Sequence, residues 1–133
     1  MSQENVEIIR SAIEAFNRED FRRLAEVCDE DFEFVSVMTA LEETSYRGRN
    51  TWETYYNDMH ETWEEWQVED LQVFDGGDDR VAAVMRLVGT GKSSGVPVEA
   101  TIGIAYRIRK GKLWRARSYL DPGEALEALG LSE

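Results

Sequence analysis

The chain has 133 residues, of which 42% are hydrophobic and 11% aromatic, and it carries a formal net charge of −12. A chain of this length and composition is expected to fold over residues 1–133 as one domain that buries a core without disulfides or metals, which excludes a disordered protein. The excess of 27 Asp and Glu over 15 Lys and Arg repels phosphate backbones and anionic lipid, so neither nucleic acid nor a membrane is expected as a partner.

No apolar run approaches the roughly 20 residues that cross a bilayer. The start, MSQENVEIIR, is acidic and amphipathic, unlike a secretory signal with its basic start and apolar core. The single cysteine, Cys28, permits no internal disulfide, and these features together lead to the expectation of a cytoplasmic protein. The charge is uneven. Residues 1–70 hold 6 basic against 19 acidic side chains, whereas residues 71–133 hold 9 against 8.

Val6, Ile9, Ile13 and Phe16 recur at helical spacing and predict an amphipathic helix over Asn5 to Phe16, closed by Asn17-Arg18-Glu19. Asp20 stands as N-cap of a short helix whose inner side is Phe21, Leu24 and Val27. Phe32 to Met38 reads as a strand with Phe34, Ser36 and Met38 on one face. After Tyr46-Arg47-Gly48, a helix is expected from Asn50 to Glu65, with Trp52, Tyr55, Tyr56, Met59 and Trp63 on one aromatic face. Gln67 to Phe74, Arg80 to Lys92, Val98 to Ile108 and Lys112 to Leu120 read as strands, separated by turns at Gly76-Gly77-Asp78-Asp79, Lys92-Ser93-Ser94-Gly95 and Lys110-Gly111. The third of these alternates almost without error, Val98, Ala100, Ile102, Ile104, Tyr106 and Ile108 on one side, and that side carries no carboxylate, histidine, lysine or cysteine. Asp121-Pro122-Gly123-Glu124 opens a last short helix, and Gly130 stops it. Consecutive hairpins with flanking helices predict an α+β fold, a mainly antiparallel sheet with helices packed on one face.

The segments IEAFNREDFRRLAEVCDEDFEF, YRGRNTWETYY and RKGKLWRARSYLDPGEALEALGL, in this order and spacing, resemble the SnoaL-like group of the nuclear transport factor 2-like superfamily along nearly the whole chain. The resemblance implies a cone: a curved sheet wrapped around the N-terminal helix, with a pocket inside and a short C-terminal helix. It also implies a homodimer through the outer sheet face. Relatives include isomerases, epoxide hydrolases, dehydratases, polyketide cyclases and binding domains, so the fold does not decide the function. The Tyr and two Asp of ketosteroid isomerases, a family that also serves as a standard example of tuned carboxyl groups, fall by alignment on Ala12, Ser36 and Ile104. The Arg-Asp-Tyr sequence that holds the second Asp of the Asp–Arg–Asp relay in limonene-type epoxide hydrolases reads Arg117-Ser118-Tyr119 here, and the other two relay positions fall on Val81 and Ala83, again without the carboxylates. The acid–base pair of polyketide cyclases finds no inward carboxylate here.

Strand parity gives a provisional pocket wall. Ser36, Met38, Met85, Ile104, Tyr106, Trp114 and Ser118 come from strands, with Phe34, Leu87, Ile102, Ala116 and Leu120 beside them; Tyr56, Met59, Trp63 and Trp52 come from the aromatic helix. Such a wall suits a small apolar molecule, with Ser36, Tyr106 and Ser118 to orient it. Two other readings stand beside it: an isomerase, dehydratase or cyclase working through unmapped groups such as Tyr106 or His60, and a homodimeric interaction module with a filled cone. In the last, Ala82, Val84, Val88, Thr101, Gly103, Ala105 and Tyr119 on the outer sheet face form the working surface. The basic strip Arg107, Arg109, Arg115 and Arg117 is expected to pair with Glu99 or a partner's carboxylates. No metal and no cofactor are expected. His60 has no Cys or His partner, the run Glu61, Glu64, Glu65, Glu69, Asp70 lacks a calcium-loop pattern, and Ser93-Ser94-Gly95 lacks phosphate-loop spacing.

Overall fold

A computed structural model describes residues 2–130, apart from the side chains of Ser2 and Met38. In chain order the elements are α1 (Ser2–Asn17), α2 (Phe21–Val27), β1 (Cys28–Val35), α3 (Val37–Leu41), β2 (Tyr46–Arg47), α4 (Thr51–His60), β3 (Trp63–Gly77), β4 (Arg80–Gly91), β5 (Pro97–Arg109), β6 (Lys112–Tyr119) and α5 (Pro122–Ala128). The six strands form one curved, unclosed sheet in the order β2-β1-β6-β5-β4-β3, antiparallel except where β1 runs parallel to β6. No helix among the described residues is long and apolar enough to cross a membrane.

The curvature has a local cause. Against the straight ladder of β4 and β5, β3 shifts register three times, between Glu64 and Gln67, Glu69 and Gln72, and Asp75 and Gly77. Glu65 and Asp70, inside the first two of these shifts, adopt φ of +51°. Each extra residue bends and twists its strand, so β3 curls over the concave face. There α1 lies, burying Ile9, Ala12, Ala15 and Phe16. As the terminal strand of the sheet, β3 has a free edge. The Asn17 side chain occupies it: its Nδ2 donates to the Val68 carbonyl and its Oδ1 accepts from the Val68 amide, both at 3.0 Å. One amide side chain thus does for Val68 what a further strand would have done, and it ties the end of α1 to the rim of the sheet.

Several placements differ from the sequence reading. The first strand runs over Cys28–Val35, and Met38, expected on its inner face, lies in the helix α3. The cause is a reciprocal cap in which the Ser36 amide donates to Thr39 Oγ1 at 2.8 Å and the Thr39 amide donates to Ser36 Oγ at 3.1 Å. The aromatic helix stops at His60 rather than Glu65, so Trp63 begins β3 opposite Gly91; strand pairing overrides a helical spacing that Trp63 would also have satisfied. In β6, a register shift between the pairs Arg107–Arg115 and Ile108–Leu113 leaves Trp114 unpaired. Leu113 is buried inward, and Trp114 turns outward beneath the guanidinium groups of Arg109 and Arg115, 4.6 and 4.3 Å from its ring centre. Leu120, also expected inside, follows the end of β6 and is 66% exposed.

The C-terminal helix lies on the convex side of the sheet. Asp121 caps it by accepting from the Gly123 amide at 2.9 Å, and Leu126 and Leu129 pack on Ala82 together with Phe74 and Ala105. Gly103 is what allows this approach, because a Cβ there would stand 2.7 Å from the Ala125 Cβ and 2.9 Å from the Pro122 Cα. Part of the outer face read as a partner surface is therefore covered by the chain's own helix.

Two substitutions test these placements. Asn17→Leu leaves the Val68 amide and carbonyl without partners and is expected to lower unfolding stability by about 2 kcal/mol in urea titrations. Gly103→Ala must push α5 off β5, with an expected loss of about 1–3 kcal/mol in the same measurement.

Candidate functional site

The concave side of the sheet, α1 and α4 enclose an apolar cleft with a free volume of about 40 Å³. Ala12, Ile13 and Phe16 of α1 form one wall, Trp66 and Val68 of β3 a second, and Ile102, Ile104 and Tyr106 of β5 with Met85 of β4 the floor. Phe34, Trp52 and Tyr55 close the end nearest β1. Aromatic edges hold these walls together: Phe16 meets Trp66 edge-on at 5.7 Å, Tyr55 meets Phe34 edge-on at 5.1 Å, and Tyr55 meets Trp66 at 5.9 Å. Such pairs add about 0.5–1.5 kcal/mol each beyond their buried area, so the shape of the cleft is a stable feature of the core.

Of the residues expected to face the pocket, Met85, Ile104 and Tyr106 line the cleft, as do Phe34, Trp52, Leu87 and Ile102. Ser36 and Ser118 are buried but serve α3: Ser36 is the cap described above, and Ser118 Oγ accepts from the Val37 amide at 3.1 Å. Their polar atoms are engaged with backbone and do not line the cleft. Tyr56 packs on Phe21 at 5.3 Å and stacks on His60 at 5.4 Å, outside the lining, and its neighbour Tyr55 takes the inner position. Met59 and Trp63 pack against the core without reaching the cleft, Trp114 is on the outer face, and the Met38 side chain lies outside the described residues. Sequence parity missed Trp66 and Val68. Their alternation is legible, but the strand read from the sequence begins at Gln67 and leaves Trp66 out, whereas β3 begins at Trp63.

The chemistry of the cleft follows from what lines it. No carboxylate, histidine or lysine is among the lining residues. Ala12 and Ile104, two of the three positions that align with ketosteroid isomerase catalytic groups, contribute only hydrocarbon. The polar groups left on the lining residues are the phenols of Tyr55 and Tyr106 and the indole N–H groups of Trp52 and Trp66, and neither indole has a hydrogen-bond partner among the described residues. Burial pushes the Tyr55 phenol up to about 12 and raises Tyr106 further, with Tyr55 and Cys28 adding to it. Burial also lifts the Cys28 thiol to about 12, opposed by the Trp52 indole and by Lys112 and Arg49. At neutral pH all three stay protonated, and the cleft lining holds no group ready to accept a proton from carbon. His60 stands apart, its Nδ1 buried without a hydrogen-bond partner among the described residues. No cluster of three or more metal-ligating side chains occurs among the described residues.

On the outer face, Arg109 pairs with Asp29 at 3.0 Å and Arg115 with Glu33 at 3.5 Å. Glu99, expected to serve that strip, is instead bound to Arg86 at 2.6 Å, which also holds Glu69 and Asp70 at 2.9 Å each.

The family model for the SnoaL-like domain matches residues 9–116. No curated protein matches the sequence. Solved structures of the same fold include a proposed polyketide cyclase from Xanthomonas campestris pv. campestris, 19% identical with a TM-score of 0.78, covering 96% of this chain and 98% of that one. An NTF2-like protein from Burkholderia xenovorans LB400 is 24% identical with a TM-score of 0.75, at 97% and 98% coverage. A hypothetical protein of ketosteroid isomerase-like fold from Catenulispora acidiphila, crystallised in complex with trimethylamine, is 17% identical with a TM-score of 0.73, at 94% and 93% coverage.

The buried phenols and thiol predict a particular response to alkali. Their folded-state values lie above the ordinary 10.0 and 9.0 of tyrosine and cysteine, so the unfolded chain gives up these protons first. Their contribution is fully present below about pH 9 and is lost as pH rises toward 12 and beyond. Urea titrations across that range should show stability falling steadily, less steeply in Tyr106→Phe than in the parent at the upper end.

Proposed function

The chain belongs to the SnoaL-like domain family, and from that premise we propose that it is a binding domain for a small, mainly apolar molecule carrying one hydrogen-bond acceptor, rather than an acid–base catalyst. The observation that carries this reading is the cleft wall itself: hydrocarbon and aromatic surface throughout, with the neutral phenols of Tyr55 and Tyr106 as its hydroxyl donors. Apolar surface supplies the affinity, and a donor fixed on the floor orients a carbonyl or ether oxygen. Abstraction of a carbon-bound proton would need a base at the same place, and the lining offers none. A cyclase-type or isomerase activity therefore has to rest on groups outside the cleft.

Size narrows the ligand further. A cavity of about 150 Å³ takes a benzene molecule, and the cleft has about 40 Å³ at rest. A molecule of a few heavy atoms fits as it stands; a larger one requires Tyr55 and Trp66 to swing apart. The same small volume supports a second reading, in which the cone is simply filled and the protein works through its surface.

Titration with acetone, cyclopentanone and cyclopentane, followed by the methyl resonances of Ile13, Ile102 and Ile104, separates the two. Saturable shifts, with the ketones bound more tightly than the hydrocarbon, are the expected result. Tyr106→Phe should remove that preference by about fivefold, the worth of a hydrogen bond near 1 kcal/mol, and Ile104→Trp should abolish binding. The absence of saturable shifts with every probe would decide for the filled cone.

A further inference from the structure

A second concavity lies on the opposite side of the sheet, and its charge is out of keeping with the chain. Across the convex face a single ladder row reads Arg80, Arg107, Arg115, Glu33, Arg47, one residue from each of β4, β5, β6, β1 and β2. Arg117 sits on the same face of β6, two residues beyond Arg115, paired with Ala105. Like charges directly opposite in adjacent strands are destabilising, yet Arg80–Arg107 and Arg107–Arg115 are both such pairs, in a chain with a net charge of −12.

Most of that row is already satisfied. Arg80 turns back to the carbonyls of Gly76 and Gly77 at 3.3 Å each. Glu33, the row's carboxylate, is shared by Arg47 at 3.1 Å, Arg115 at 3.5 Å and the Ser45 hydroxyl at 2.7 Å. Arg107 and Arg117 have no carboxylate partner among the described residues; Arg117 is drawn only toward the Tyr119 ring, 5.7 Å from its centre. Between these two guanidinium groups and the end of α5 lies a groove of about 200 Å³, floored by Val35 and Ala105 and walled by Leu129; Glu33 and Arg115 also line it, and the Glu33 carboxylate is held by Arg115 and Arg47. Cation, apolar floor and apolar wall are thus presented together, in a space larger than the cleft of the cone.

We propose that this groove binds a small organic acid, with its carboxylate on Arg107 and Arg117 and its short apolar body against Leu129, Val35 and Ala105. A guanidinium fork matches a carboxylate in geometry and charge, and the bound anion relieves the repulsion that the arginine row otherwise carries. The volume suits an acid of about the size of benzoate, since about 150 Å³ holds benzene. The site is separated from the cone by the thickness of the sheet and does not depend on the reading given above; failure of either leaves the other standing.

The test is a titration of the intact protein with benzoate, benzamide and inorganic sulfate, followed by the Nε–H resonances of arginine and the methyl resonances of Ala105 and Leu129. Benzoate should give saturable shifts at Arg107, Arg117 and Leu129, weakening as salt is raised. Benzamide, its neutral counterpart, should bind at least tenfold more weakly, and sulfate should compete without moving the Leu129 methyls. The double variant Arg107→Gln/Arg117→Gln should lose at least tenfold in benzoate affinity, whereas Arg86→Gln, which removes a distant charge, should keep it. The double variant should also melt at a higher temperature in the absence of acid, which a structural role for these arginines would not produce. Equal binding of benzamide, equal loss in Arg86→Gln, or shifts confined to the Ile102 and Ile104 methyls of the cone would overturn the proposal. So would the lack of any saturable shift at Arg107 and Arg117, including the case where sedimentation shows a second copy of the chain covering the groove.

Discussion

The paired hydrogen bonds between the Asn17 side chain and the Val68 backbone hold the two halves of the cone together. On one side of that junction is α1, whose last turn carries Phe16 into the middle of the aromatic core; on the other is β3, bent by its register shifts until its free edge meets the helix. An edge strand with unpaired amides and carbonyls would be open to solvent or to another chain. Closing it with a side chain from α1 fixes the distance between helix and sheet, and that distance sets the width of the cleft between Phe16, Trp66 and Ile104.

Width and lining then determine what the cleft can do. Burial is deep enough to keep Tyr55, Tyr106 and Cys28 protonated well above neutral pH, because the charged form of each would lose its hydration, a cost that Lys112 and Arg49 only partly offset at Cys28. The effect that makes these groups useless as bases makes the two phenols dependable donors. The two positions that the resemblance to ketosteroid isomerases assigns to carboxylates carry Ile104, which lines the cleft, and Ser36, which is committed to a helix cap. On the convex face Arg86 gathers three carboxylates, whereas Arg107 and Arg117 have no carboxylate partner among the described residues.

How much of this was legible in the sequence depended on whether a local rule operated. The strand β5 was readable because Ile102, Ile104, Tyr106 and Ile108 obey a strict period of two and are all buried. The cap at Asp121 and the turn at Lys110-Gly111 were readable because the residue types are demanded by the backbone there; Lys110 and Gly111 both take positive φ. Trp114 was misplaced because a single bulge inverts parity for the residue that occupies it, and nothing in the neighbouring sequence marks the bulge. Trp63 was misplaced because its spacing fits the helical stripe as well as the start of a strand, and only pairing with Gly91 decides between them. Ser36 carried a visible capping signal with Thr39, which strand alternation obscured. The role of Asn17 was out of reach altogether, since its partner is 51 residues away.

The most direct test of the central claim is a crystal structure of the protein pressurised with xenon. Xenon is apolar and monatomic, and it enters dry cavities of the right size without needing any particular chemistry. Density enclosed by Phe16, Trp66, Ile104 and Tyr106 is the result expected of an open, apolar binding cleft. A cone without xenon, in crystals that take up the gas elsewhere, would contradict it and leave the convex face as the working surface of the molecule.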